Sequence, residues 1–385
     1  MKGTEVPVTP SVLEWAIQES GYSIPEVAKQ LGVEEAELGR WLRGKGHPKV
    51  TAFRRLAAVL HRPAATFLLS EPPEADPVAI KFRRPPNVER VELNADERRH
   101  IREAARVQDT VSWLLQEMGE PPASMPTVEL SAAPERVAEA ARQHLEVSLD
   151  TQLQIWKTES QAQAGWRDAL EASGVSVLML RLGEKSCRGF SVWDDFVPLL
   201  AVNTYFRGTA RIFSMLHEYG HLLTRSSSAC LEQARGHRLA KSSDSTERWC
   251  EEFAAAVLLP ASAVKRLLKI ELGWEGGKVK DLDEASATAN RFKVSLRAMV
   301  IRLIELDAAD WDLYHKIPAH SDDKPAGAGG KGLSRAELRE KEFGKRLEAL
   351  FVKGMRNDLI SRGDVISHLR LSEDDLESLE KIVRG

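Results

Sequence analysis

The sequence predicts a mainly helical α+β chain, with short helices at the N-terminus, a second helical region interrupted by one small β-sheet, and a helical tail. Three observations carry this. Between residues 10 and 70 apolar residues recur at helical spacing and are stopped repeatedly by glycine or proline. Three short runs, Val175–Arg181, Gly189–Trp193 and Val197–Asn203, are rich in Val, Leu and aromatics and are separated by Gly, Lys and Asp. Beyond them the helical period returns and persists to the C-terminus.

The first five helices are expected at Ser11–Ser20, ending before Gly21; Ile24–Leu31, capped by Ser23 and ending at Gly32; Glu34–Arg43, stopping at Gly44; Val50–Leu60; and Pro63–Leu69. Two short helices around Leu31-Gly32-Val33 make a helix-turn-helix signal. Arg40, Arg43, Lys45, Lys49, Arg54, Arg55 and Arg62 lie in a window, 38–70, that holds no acid, a candidate phosphate-contacting patch. Against it, Glu34, Glu35 and Glu37 open the second helix of the pair, where carboxylates repel phosphate and accept only from cytosine amino groups. DNA binding and protein pairing therefore both stay open for this region.

Residues 71–86 are proline-rich and aperiodic, as a linker is, and include Lys81-Phe82-Arg83-Arg84. A long helix over Ala95–Met118 follows, with Ile101, Ala105, Val111, Leu114 and Leu115 as its apolar face. Its Arg98, Arg99, Arg102 and Arg106 read as a solvated face in preference to a phosphate site. After a break at Gly119–Pro126 come helices at Ala133–Leu145 and Thr151–Ser173, and then the three strands.

The sheet feeds into Ala210–Leu223, where Ile212, Leu216, Tyr219 and Leu223 form a core stripe at helical spacing. His217 and His221 stand one turn apart beside that stripe, so both imidazoles can reach one ion. Glu218 points about a third of a turn away, placed to take a proton from water at the ion but not to ligate it. A third ligand is sought downstream. Ser245–Pro260 reads as a second helix, stopped by Pro260, with Cys250, Phe253, Ala254 and Val257 buried. Glu247 and Glu251 share one of its faces; Glu247 is the first candidate for the ion and Glu251 for orienting a ligand imidazole. A competing role for Glu247 is helix capping, since Asp244-x-x-Glu247 has the spacing of a capping pair.

Thr224–Thr246, between the two helices, reads as a polar loop without structure; its His237 is a weak candidate for polarising a scissile carbonyl. Helices are then expected at Ala261–Leu272, Ala285–Phe292 and Ser295–Leu306. The Lys293-Val294 turn imitates a second helix-turn-helix but is read as packing. Ala319–Lys331 is a flexible linker, and Ser334–Val383 is helical, with Phe343, Leu347, Leu350 and Phe351 on one face and Ile366, Leu369 and Leu371 following.

A net charge of -3 and a pI near 6.4 give no global signal for nucleic acid or membrane, and 43% hydrophobic residues over 385 positions suffice for two or three buried cores. Cys187, Cys230 and Cys250 show no C-x-x-C spacing, no apolar run approaches the roughly 18 residues of a membrane span, and the first residues lack the apolar core of a signal peptide. A cytoplasmic protein without membrane contact is expected; the oligomeric state is not legible.

Val197-Pro198-Leu199-Leu200-Ala201-Val202-Asn203, His217-Glu218-Tyr219-Gly220-His221, and Glu247-Arg248-Trp249-Cys250-Glu251-Glu252-Phe253-Ala254-Ala255 with Leu258-Leu259-Pro260 together resemble the ImmA/IrrE family of zinc metallopeptidases. Glu251 stands where that family usually has Asn. Gly21-Tyr22-Ser23-x-x-Glu26-Val27-Ala28, Leu31-Gly32-Val33 and Trp41-x-x-Gly44 resemble the Xre helix-turn-helix family. The resemblances imply an Xre-type domain over 1–70, a linker and connecting helix over 71–110, a zincin-like, gluzincin-type catalytic domain over 111–316 with its small sheet packed on the H-E-x-x-H helix, a linker over 317–333 and a helical element over 334–385. They imply Zn²⁺, with Mn²⁺ as the alternative, held by His217, His221 and Glu247, and Glu218 as catalytic base. The implied activity is cleavage of a helix-turn-helix repressor that derepresses stress-response, DNA-damage or mobile-element genes. The alternative is a DNA-binding regulator whose zincin-like domain senses or pairs without proteolysis.

Overall fold

Glycine and serine punctuation sets the helices of the first unit in the computed structural model, which describes residues 4–73, 95–184, 186–226, 228–230, 245–318 and 332–382. The described residues group into two compact units, one up to Glu103 and one from Ala104 onward. In the first, α1 (Pro10–Ser20) ends at Gly21, whose φ of 75° is the left-handed conformation that closes a helix. α2 (Ile24–Leu31) opens with a reciprocal capping box between Ser23 and Glu26 and ends at Gly32. α3 (Glu35–Leu42) and α4 (Val50–Val59) follow. The expected fifth helix is a 3-10 turn, Ala64–Leu68, because five residues behind Pro63 are too few for α-helical bonding to propagate. Leu13, Ile17, Val27, Leu31, Leu38, Trp41, Leu56 and Phe67 fill the core of this unit.

The long helix α5 (Ala95–Glu117) begins in the first unit and ends in the second. Of its arginines, Arg106 is exposed as the sequence suggests, whereas Arg98, Arg99 and Arg102 are half-buried. Arg102 donates to Glu19 O at 2.7 Å, and burial followed by repulsion from Arg62 pulls its guanidinium down to about 10.

The second unit is built on α6 (Pro134–His144), a π-helical turn (Thr151–Ile155), α7 (Glu159–Ala172), β1 (Ser176–Leu180), β2 (Gly189–Val192), β3 (Leu199–Asn203) and α8 (Gly208–Leu223). The single helix expected over Thr151–Ser173 is broken. Trp156 leaves the helix to lie on Gly165, where a Cβ would come within 2.2 Å of its ring, and Thr158 restarts the helix with a capping box to Gln161. All three strands are fully buried, which explains why they read as apolar runs and not as alternation.

Three of the strands run in the order β1-β3-β2, with β1 parallel to β3 (Ser176 opposite Leu199) and β2 antiparallel to β3 (Gly189 opposite Val202). β4 (Ser228–Cys230) pairs antiparallel with β2, Gly189 opposite Cys230, so the interhelix segment read as structureless contains a strand. The end of β3 is tied down by Asn203, whose side-chain amide donates to Gly183 O and Cys187 O and accepts from the Leu182 and Tyr205 amides. Gln108 on α5 donates to Val192 O and Val197 O, holding the end of β2.

Beyond the sheet come α9 (Ser245–Leu258), α10 (Ala261–Leu272), α11 (Leu282–Phe292), α12 (Leu296–Glu305) and α13 (Trp311–His315). Phe292 and Val294 are buried in the same core as α8 and α9, so the Lys293-Val294 turn is a packing feature. Four tail helices, α14 (Arg335–Phe343), α15 (Lys345–Arg356), α16 (Arg362–Leu369) and α17 (Glu373–Ile382), belong to this second unit. Arg167 of α7 joins them to the sheet, donating to Val177 O in β1 and Lys341 O in α14. Lys81-Phe82-Arg83-Arg84, the stretch Ala319–Lys331 and His237 lie outside the described residues. Among those described, no helix is long and apolar enough to cross a membrane.

Glu348 of α15 is 1% exposed, and its Oε1 has no hydrogen-bond partner among the described residues. Burial, then Glu340, push its carboxyl from its ordinary 4.5 up to about 8 despite Arg167 nearby. A raised acid favours the folded state below its ordinary pKa, and that contribution is lost as the pH climbs towards 8. Glu348→Gln is therefore expected to raise stability near pH 8 by about 1–3 kcal/mol and to leave it little changed near pH 4, measured as Tm against pH.

Candidate metal centre

α8 is buried along its whole C-terminal half, from Ser214 to Leu223, which is why its sequence carries apolar residues around the two histidines. His217 is 7% exposed and His221 1%. α9 packs against α8 with Glu247 in its first turn. The His217 and His221 Nε2 atoms lie 3.2 Å apart, and the Glu247 carboxylate reaches them at 3.2 and 3.3 Å. Glu247 is thus turned to the imidazoles and not spent on a helix cap.

These distances test whether the residues fit a metal. With ligand bonds of about 2.0–2.1 Å, the edge of a tetrahedron is about 3.3–3.4 Å, close to all three donor separations. Two imidazole nitrogens and a carboxylate are also the donor types a borderline divalent ion takes, and lone pairs aimed at one point are held there by a cation. The three side chains fit such an ion as one face of its coordination shell. Burial alone would push the Glu247 carboxyl up, but hydrogen bonds and charge from His217 and His221 outweigh this and hold it well below the carboxylate range.

Glu218 is 1% exposed and points towards β2. A Cβ at Gly189 would stand 3.2 Å from its Oε1 and 2.8 Å from Ala201 O, so a side chain there would displace the carboxylate. Gly220 serves the second helix in the same way. Its missing Cβ would stand 3.1 Å from Phe253 and 3.2 Å from Cys250 Sγ, so glycine is what lets α9 approach. Gly220→Val is expected to cost about 1–3 kcal/mol by overpacking and to weaken metal binding together with it. Thermal unfolding and chelator competition check both effects.

The far end of α9 is clamped by buried polar groups. Arg142, 8% exposed and drawn down to about 10 by burial, donates to Val257 O and Gln152 Oε1 at 2.7 Å. Gln152 donates to Leu258 O and Phe292 O, and Arg302 Nε donates to Leu259 O at 2.9 Å. Two guanidinium groups at a helix C-terminus satisfy its unpaired carbonyls and its dipole. Arg142 and Gln152 are not legible in the sequence, because a single Arg on an amphipathic helix carries no mark of burial.

The remaining sequence candidates are placed as follows. Glu251 is partly buried one turn beyond Glu247 and is not among the three converging donors. His221 Nδ1 faces Ser226 Oγ at 3.0 Å, a contact that nothing in the sequence marked. Arg211 donates to Phe206 O at 2.7 Å and to Thr204 O, fixing the turn before α8. In the first unit Arg40, Arg43, Lys45, Lys49, Arg54 and Arg55 are all exposed, as are Glu34 and Glu35. Arg55 also donates to Leu31 O at 2.7 Å, capping α2.

Comparison with curated proteins finds no match. With the centre assembled from α8 and α9, residues 170–303, the stretch that contains both helices and the sheet, match the Peptidase_M78 family model, described as an IrrE N-terminal-like domain, and this match supports an enzyme of metallopeptidase type.

Proposed function

We propose that the protein is a Zn²⁺-dependent endopeptidase of the ImmA/IrrE type that cuts a helix-turn-helix repressor, with Mn²⁺ as the alternative ion. The observation that carries this is the convergence of His217, His221 and Glu247 at tetrahedral-edge spacing beside a fourth side chain, Glu218, that is outside the donor set. A divalent cation held by the three donors supplies Lewis acidity to a carbonyl and acidifies water. Glu218 accepts the proton of the attacking water on its carboxylate and returns it to the leaving amine nitrogen. Glu218 stands against Gly189 of β2 and is 1% exposed, so its carboxylate is held in place beside the donors. β4, the edge strand antiparallel to β2, offers main-chain groups to an extended substrate.

The family resemblance, and the helix-turn-helix resemblance of the first unit, support repressor cleavage as the reading. The test is incubation of the purified chain with the helix-turn-helix repressor encoded beside it, with Zn²⁺, with Mn²⁺ and with EDTA. A single metal-dependent cut is expected; an intact repressor with both metals overturns the reading.

The first unit carries a further part of the proposal. Exposed Arg40, Arg43, Lys45, Lys49 and Arg54 support a DNA-backbone contact there. Retardation of promoter DNA at low salt that disappears at high salt is expected in a gel-shift assay, and Arg40→Glu with Arg43→Glu should abolish it; no retardation at low salt leaves these residues without a phosphate role.

A further inference from the structure

The two hydroxyls that follow the second histidine form a chain with a direction. Thr224 Oγ1 lies 3.1 Å from both Gly220 O and His221 O, and 2.7 Å from Ser226 Oγ. Ser226 Oγ in turn lies 3.0 Å from His221 Nδ1, and the Ser226 amide donates to His221 O at 2.9 Å, which fixes the backbone that carries the hydroxyl. Backbone carbonyls only accept, and Ser226 Oγ also lies 3.3 Å from His221 O, so every arrangement that places a proton both in the 2.7 Å contact and on a carbonyl of α8 sends the Ser226 proton to Thr224 Oγ1 or to His221 O. The Ser226 oxygen, its own proton given away, is left to accept, and the group facing it is His221 Nδ1.

We infer that Ser226 is a positioning residue that holds the His221 ring as its Nδ1–H tautomer and so leaves the Nε2 lone pair aimed at the point shared with His217 and Glu247. The inference rests on the metal-centre reading given under the proposed function. Ser226 touches no reacting atom; it acts through the imidazole. A neutral imidazole ligates through the nitrogen that lacks a proton, and the partner of the other nitrogen selects which one that is. Without the hydroxyl the ring is free to carry its proton on Nε2, where it opposes a cation, and to rotate about its side-chain bonds.

The test uses the full chain and Zn²⁺ alone, with affinity read by competition against a chromophoric chelator and no substrate present. Ser226→Ala is expected to weaken Zn²⁺ by about 10–100-fold. Ser226→Thr, which keeps the hydroxyl, is expected to restore most of that loss. The Co²⁺-loaded protein is expected to show an altered visible spectrum in Ser226→Ala, which a remote packing defect would leave unmoved. Nitrogen-detected NMR of the wild type reads the tautomer without any variant, and a protonated Nδ1 on His221 is expected. Wild-type Zn²⁺ affinity in folded Ser226→Ala, or a His221 proton on Nε2 in the wild type, overturns the inference. Failure of the wild type to bind Zn²⁺ or Co²⁺ at all instead overturns the metal-centre reading on which it rests.

Discussion

Glu218→Gln is expected to lower peptide cleavage by about 10²–10⁴-fold while leaving metal content and thermal stability close to wild type. The amide has the shape of the carboxylate, so the packing against Gly189 is kept. It cannot accept a proton from water at neutral pH, and it cannot hand one to a leaving amine. Because His217, His221 and Glu247 supply the converging donors without it, the ion should load as before. The measurement is single-turnover cleavage of the repressor beside a metal determination on the same preparation. Cleavage at the wild-type rate rejects Glu218 as the base, and loss of metal together with activity would make it a structural member of the centre.

Glu247→Ala should act on the ion first and on the chemistry only through it. The substitution removes one of three protein donors and the sole carboxylate among them, leaving two imidazoles 3.2 Å apart. The loss in Zn²⁺ affinity should exceed the roughly 10–100-fold that follows removal of an outer partner. Cleavage should fall with metal occupancy and recover in part at high Zn²⁺, which separates this variant from Glu218→Gln. The carboxyl of Glu247 is held below its ordinary range, so its contribution to stability is present above the ordinary carboxylate pKa and is lost as the pH falls. Chelator competition at neutral pH, with and without the substitution, reads the effect; unchanged affinity rejects Glu247 as a ligand.

The centre was largely legible because its chemistry is written at short range. His217, Glu218 and His221 lie within one helix, and a fixed pitch turns their spacing into geometry. Glu247 was legible with a competitor, helix capping, which the 3.2 and 3.3 Å contacts to the imidazoles disfavour. The helices of the first unit were legible because Gly21, Gly32 and Ser23 act locally. What was missed depends on contacts distant in sequence. Trp156 breaks a helix by packing on Gly165, Ser191 and Ser228 meet only once the sheet has formed, and Arg142 finds Val257 O across the core. None of these has a local signature. Arg102 misled for the same reason, since a charged face reads as solvated until another helix covers it.

The polar clamp on Val257, Leu258 and Leu259 makes α9 a lever. About ten residues separate it from Glu247, an arm of about 15 Å, so a tilt of about four degrees at the clamp carries the carboxylate through about 1 Å. A displacement of that size is enough to cost about a hundredfold in rate. Loosening Arg142 or Arg302 should therefore yield heat-sensitive alleles: proteins that stay folded and accumulate at the permissive temperature, yet fall silent on modest warming with every residue at the ion intact.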